Sequence, residues 1–400
     1  MSASTHATRS APQPLVVSSR LKTISMVFAF LGLASFVALL FMNKERAWHA
    51  YLTGYFYFTS LALGGMFFAA IQHLSKAGWS VNIRRLSESM ASFLPVAFVG
   101  GVILLIGAPT LYLWLDKGAV AADHLLQHKS GYLNMTFFVI RLVAFFGIWI
   151  FFWNKIIGLS VKQDETGEEK ITSKLTAFSV AFAPFFAITY SFFSIDLLMS
   201  LEPHWFSTMF GVYAFAGLFQ STLAFLVLLV IYCMKKGVLT GYVDENHLHD
   251  LGKFLFAFTV FWAYIAYSQF MLIWYANLPE ETVFFIHRMH GGWLWVSASL
   301  IVFKFIVPFL ALLPQRAKRN PNHLASVAVL ILIMQYVDFY WLVYPNLDSH
   351  HVVFSIFEVL VWLGFGGAFL MTTFRFLSKN AIIPRKDPRQ AESNHHHVVY

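Results

Sequence analysis

Long apolar runs alternate with short polar segments along almost the whole chain. Ten runs approach the roughly 20 apolar residues that cross a bilayer as a helix. They lie near Leu21–Met42, Tyr51–Leu74, Ala91–Leu115, Leu133–Ile156, Leu175–Ser200, Phe206–Met234, Leu251–Ala276, Gly292–Leu313, Ala325–Tyr344 and Val352–Leu377. They are continuous rather than alternating in and out over about ten residues, which argues against β-barrel strands. The pattern predicts an all-α polytopic membrane protein.

Composition strengthens that reading. Hydrophobic residues make up 58% and charged residues 12%, against about 25% charged in soluble domains, so the chain lacks the polar side chains to cover a water-facing surface. The net charge of +8 does not point to nucleic acid, because the basic residues sit in short loops between apolar runs. The single cysteine, Cys233, excludes an intrachain disulfide and cannot supply the thiolates of an iron–sulfur cluster. The first twenty residues are polar and lack the apolar core of a cleavable signal peptide.

Lys and Arg set an orientation. Loops on one side carry only Lys44, Arg46, Lys117, Lys129 and Arg288, whereas those on the other, from Arg9, Arg20 and Lys22 to Arg385, Lys386 and Arg389, hold most of the 28 basic residues. The positive-inside rule then places both termini in the cytoplasm and requires an even number of spans. The expected location is a bacterial inner membrane.

Five charged residues fall inside the runs, more than two residues from either end: Arg141 in the fourth, Asp196 in the fifth, Lys304 in the eighth, Asp338 in the ninth and Glu358 in the tenth. Ionisable groups in a span cost about 3 kcal/mol each on an insertion scale and by default mark a functional site. Spans two to five and six to nine read as two four-helix units of one orientation. In each, the third helix carries a buried cation and the fourth a buried Asp. The spacing predicts Arg141–Asp196 and Lys304–Asp338 pairs, with a longer charged connection over Gly158–Ser173 in the first unit. The corresponding organisation is a polar tail (1–20), a first span and loop (21–50), a first bundle (51–205), a second bundle (206–350), a last span (351–378) and a C-terminal tail (379–400). Glu358 has no basic partner in its own helix or the one before it.

The opposite side is rich in His, with His49, His124, His128, His204, His287, His290, His350 and His351. Each reads as an interfacial polar group, and together with Glu202 they could line a proton exit or a partner contact. On the basic side the stretch Gln72–Met90, with His73, Trp79, Arg84 and Arg85, reads as an amphipathic segment at headgroup level. The histidines at 395–397 give a weak metal signal on a mobile tail. No His pair lies deep in the spans, which argues against a haem bound by this chain. Nucleotide loops and hydrolase or metalloprotease motifs are missing, so the chain does not read as an enzyme acting alone.

One stretch organises the chain: IDLLMSLEPHWFSTMFGVYAFAG, Ile195–Gly217. With HLSKAGWSVNIRRLSE (73–88), WYANLPEET (274–282) and YWLVYPN (340–346), it resembles the ten-helix integral membrane subunits of bacterial alternative complex III. That complex is a quinol:cytochrome c oxidoreductase, and these subunits belong with polysulfide-reductase-type membrane proteins. The likeness covers nearly the whole chain apart from its first and last twenty residues. It implies two four-helix bundles flanked by the first and last spans. It further implies a complex with a related membrane subunit, a multihaem and a monohaem cytochrome c and an iron–sulfur protein. Haem and iron–sulfur clusters would then sit on those partners, with no cofactor bound by this chain alone. Within such a complex the chain would contact lipid and provide a proton-transfer path, a site environment for a quinone (menaquinone or ubiquinone), or both. An ion-coupled secondary transporter and a purely structural anchor are the alternatives. The transporter lacks support from paired Gly/Pro-broken half-helices, apart from Pro184 and Pro308.

Overall fold

The structure is a computed structural model and describes residues 12–396. The start of the polar tail, with Arg9, and His397 lie outside the described residues. Ten helices are long and apolar enough to cross a membrane. We number them α1 (Ser19–Met42), α2 (Lys44–Leu74), α3 (Val81–Leu111), α4 (Met135–Thr166), α5 (Glu169–Leu201), α6 (Phe210–Lys235), α7 (Glu245–Ala276), α8 (Trp293–Leu312), α9 (Pro321–Asn346) and α10 (Ile356–Lys379).

Their packing closes two four-helix rings. In the first, α2 packs on α3, α3 on α4, α4 on α5 and α5 back on α2. In the second, α6 packs on α7, α7 on α8, α8 on α9 and α9 back on α6. The first helix of each ring is its most buried, and α2 lies against α6, so these two form the centre of the molecule. The last span, α10, packs on α2, and α1 packs on both. Within each ring the connection between the second and third helices carries short helices, at Lys117–Ala122 and His124–Lys129 in one and Pro279–Met289 in the other.

Local chemistry explains where several helices begin and end, and it revises three expectations. Asn43 caps α2, accepting from the Arg46 N–H at 3.0 Å, while its own N–H bonds Leu39 O at 2.7 Å. One residue therefore ends α1 and starts α2, which begins at Lys44 rather than near Tyr51. The charged stretch Gly158–Ser173 is not a long connection. α4 runs on to Thr166 and α5 starts at Glu169, with Gly167 at φ 68° making the turn. A left-handed residue after a helix is where glycine costs least.

The third revision concerns Gln72–Met90. Every residue of the helix Val81–Met90 is buried, so Arg84 and Arg85 do not lie at headgroup level. The C-terminal segment covers this helix and is not a mobile tail through His396. Arg84 forms an ion pair with Asp387, Ser393 Oγ accepts from Asn82 N at 3.2 Å, and His396 Nε2 lies 2.7 Å from Asp250 Oδ2 on α7. The segment thus ties the two rings together on the face where both described ends meet. There Leu15 N donates to Leu377 O at 2.8 Å and Ile382 N to Gln13 O at 3.3 Å. We call this the terminal face.

The crossing of α1 and α10 depends on two glycines. A Cβ added at Gly32 would lie 2.3 Å from Gly364 Cα, so the backbones touch, as small residues permit between membrane helices. Gly32→Val is expected to lower the melting temperature in detergent, with a cost of about 1–3 kcal/mol typical of overpacking. Gly147→Val, at a position with nothing within 4 Å, should leave it nearly unchanged. Equal shifts in the two variants would contradict the close crossing.

Candidate functional site

Each ring holds a buried cation–carboxylate pair built to a common plan. In the first, Arg141 Nε donates to Asp196 Oδ2 at 2.7 Å and Tyr132 OH donates to Asp196 Oδ1 at 2.9 Å. The guanidinium lies over the rings of Tyr132 and Phe137, at 3.9 and 4.5 Å from their centres, and Nη1 donates to Tyr132 O at 2.9 Å. Arg141 Nη2 is buried without a hydrogen-bond partner.

In the second, Lys304 Nζ donates to Asp338 Oδ2 at 2.5 Å and to Gln335 Oε1 at 2.8 Å. Tyr213 OH donates to the other oxygen of Asp338, and the ammonium sits 4.2 Å from the Trp262 ring centre. Cation, carboxylate, tyrosine hydroxyl and an aromatic ring beside the cation therefore recur in both rings. Lys304 is 0% and Asp338 1% exposed, against 7% for Arg141 and 2% for Asp196. Burial on this scale would be prohibitive without the partners.

The backbone around Lys304 is itself irregular. Leu300–Ile306 is π-helical, a form that gathers at functional sites. Pro308 follows and has no N–H to bond the carbonyl four residues back, which is that of Lys304. Gln220 Nε2 lies 3.5 Å from that carbonyl and 3.1 Å from Thr259 Oγ1, so a side chain of α6 takes the place of the missing donor.

Glu358 does have a cationic partner. Arg46, from the start of α2, pairs with its Oε1, and Ser355 N and Oγ donate to its Oε2 at 2.8 and 2.6 Å. Glu358 is the N3 residue of a capping box that opens α10, and it holds that helix end against α2. The Ser-x-x-Glu spacing was a legible signal for the cap, whereas nothing local pointed to Arg46.

The pattern of the chain places Arg288 in a loop. In the structure it is 0% exposed. It donates from Nε to Trp341 O at 3.1 Å and from Nη2 to Leu342 O at 3.0 Å, and Nη2 lies 2.8 Å from Glu202 Oε1. Burial pulls its guanidinium below the ordinary value, and Glu202 opposes that shift. The crossover from α5 to α6 is thus held by a buried pair to each ring, Asp196 to Arg141 and Glu202 to Arg288. A polar chain also runs from Arg288 toward Lys304. Ser297 Oγ donates to Arg288 O at 2.6 Å and accepts from Trp341 Nε1 at 2.7 Å, and Trp341 lies one helical turn beyond Asp338 on α9.

The histidines of this face do not form one line. His204 Nε2 lies 2.5 Å from Asp123 Oδ2, and this contact holds the half-buried Asp123 carboxyl below its usual range. His290 Nδ1 is 2.7 Å from Ile286 O, and His49 Nδ1 is 2.7 Å from Glu45 O. His287 is half-buried on the short helix that carries Arg288.

On the terminal face, Arg85 anchors a second charged cluster. Its Nη1 donates to Asp164 Oδ2 at 2.9 Å, its Nη2 to Ser160 O at 3.1 Å, and its Nε lies 2.9 Å from Glu88 Oε2. Ser160 Oγ donates to Glu88 Oε1 at 2.8 Å, and Arg84 lies beside it with Asp387. His73 is buried close by, and its Nε2 has no hydrogen-bond partner. The spacing of Arg84, Arg85 and Glu88 on one helix was legible in advance; Asp164 and Asp387 were not. Among the described residues no group of three or more His, Cys, Asp or Glu is placed to hold a metal ion.

The fold and these clusters define the class: an all-α, multi-pass membrane protein with paired charges through its interior. Comparison with protein-family models and with curated proteins gives no match.

Removing Arg85 would leave Glu88 and Asp164 without their cation. Arg85→Ala is therefore expected to destabilise the protein by about 3–5 kcal/mol, as for other broken buried pairs, measured by unfolding in mixed micelles. Arg85→Lys should recover only part of the loss, because an ammonium cannot reproduce the forked contact to Asp164. An unchanged unfolding midpoint in Arg85→Ala would refute this role.

Proposed function

We propose that this chain is an integral membrane subunit of a respiratory quinol:cytochrome c oxidoreductase of the alternative complex III type. In it, the Arg141–Asp196 and Lys304–Asp338 pairs form part of a proton-transfer path. The observation that carries the reading is the recurrence of one cation–carboxylate–tyrosine unit in both rings. Apolar side chains would join these helices at lower cost, and charges kept within membrane spans are characteristic of proton relays. A tyrosine hydroxyl on each carboxylate supplies a donor through which a proton can be passed. A polar chain from Trp341, one helical turn beyond Asp338, through Ser297 and Arg288 to Glu202 lies between the second unit and the face opposite the termini.

A quinone-site environment is supported by a separate feature. A cleft of about 370 Å³ opens between α8 and α9, walled by Trp295, Tyr336, Tyr340 and Phe354 with Ser299 beside them. Tyr336 and Tyr340, one turn apart, share a face of α9 different from the one that carries Asp338, so a ring stacked there would lie on the other side of that helix from the second charged unit. In this reading the redox centres belong to partner subunits, with a related membrane subunit, cytochromes c and an iron–sulfur protein as the assembly.

In the purified assembly, Asp196→Asn and Asp338→Asn are each expected to lower quinol:cytochrome c turnover and proton release in proteoliposomes by about 100-fold, the low end of what positioned proton transfer contributes. The doubly neutral variants Arg141→Gln/Asp196→Asn and Lys304→Gln/Asp338→Asn leave no buried charge unpaired and should still assemble. If these assemble and turn over normally, the pairs are structural and the relay fails. A preparation free of c-type haem would instead point to a self-contained transporter.

A further inference from the structure

The close glycine contacts between α1 and α10 end at Gly367, short of the terminal face. A Cβ at Gly367 would lie 2.4 Å from Ser25 O. Beyond that point Met371, Phe374 and Arg375 stand on α10 in place of the glycines. Toward the terminal face, Gln13 and Leu15 pair with Ile382 and Leu377. The result is a groove of about 310 Å³ whose apolar walls include Met26 and Met371, with Lys22, Ser25, Arg375 and Ser378 at its edge.

Lys22 and Arg375 are both exposed. No acidic residue lines the groove, and among the described residues neither cation has an ion-pair partner. Nearby carboxylates are occupied: Asp387 by Arg84, and Asp164 by Arg85 and the Arg385 N–H. Above the groove α1 turns Val27 and Phe30 outward, 45% and 70% exposed. Two unneutralised cations at the end of a span, over an apolar slot continuous with a lipid-facing helix, match one kind of molecule.

We propose that this groove is a binding site for a phospholipid with an anionic headgroup. Lys22 and Arg375 hold the phosphodiester, Arg375 through its planar fork, and an acyl chain lies along Met26 and Met371. Basic pockets between membrane helices are suited to anionic headgroups. A small anion such as free phosphate would satisfy the cations but leave the apolar walls unoccupied. The inference needs only the membrane-spanning placement of α1 and α10 and is independent of any redox role.

The test is native mass spectrometry of the full-length chain released from micelles holding equal amounts of phosphatidylglycerol and phosphatidylcholine. Phosphatidylglycerol is expected to be retained selectively. Lys22→Gln/Arg375→Gln should weaken that retention about 25-fold, about 5-fold for each cation near an anionic lipid. Lys235→Gln/Lys236→Gln, at the foot of α6 on the same face, should leave it unchanged. The proposal is overturned if the wild type shows no preference, if both double variants lose it equally, if soluble glycerol 3-phosphate displaces the lipid, or if a bound polypeptide covers the groove instead.

Discussion

The structure depends on the cost of burying charge in a helical interior with little water. A carboxylate or guanidinium there is tolerated only beside its opposite and with most of its other hydrogen-bonding groups occupied. Arg141–Asp196, Lys304–Asp338, Arg46–Glu358, Arg288–Glu202 and Arg85–Glu88 each pair a cation with a carboxylate between two different helices or helix ends, except the last, which Asp164 extends to α4. Because each pair tolerates little displacement, together they set the register in which the helices pack.

That constraint accounts for the architecture around the Asp196–Glu202 stretch. The chain leaves the first ring at Asp196, held by Arg141, and reaches Glu202, held by Arg288 of the second. On the terminal face the segment carrying Asp387 and His396 spans both rings, bonding Arg84 on α3 and Asp250 on α7. The two rings are thus joined through polar contacts at both faces and through apolar packing of α2 on α6 between them. Aromatic rings serve both functions, filling the core and lying against Arg141, Arg288 and Lys304 where the cations have lost water.

Much of this was legible in the chain. The apolar runs located all ten helices, with ends misplaced where helices extend past their apolar stretch or start from a cap, as at Lys44, Val81 and Glu169. The four ring charges stood out because an ionisable residue in an apolar run has few structural explanations, and their neighbouring helices made the pairing readable. Arg288 and Arg46 could not be distinguished from ordinary loop cations. Their partners Glu202 and Glu358 lie far along the chain, and local sequence carries no record of such contacts.

The sequence by itself determined the class of protein, its helices and the identity of its interior charges, because hydrophobicity and charge act residue by residue against a bilayer. Tertiary structure alone decided what each charge faces. It turned Arg84 and Arg85 from surface groups into buried ones, supplied tyrosines to both ring carboxylates, and drew the C-terminal segment across the terminal face. These outcomes depend on which side chains meet when ten helices pack, and burial belongs to that arrangement rather than to any single stretch of chain.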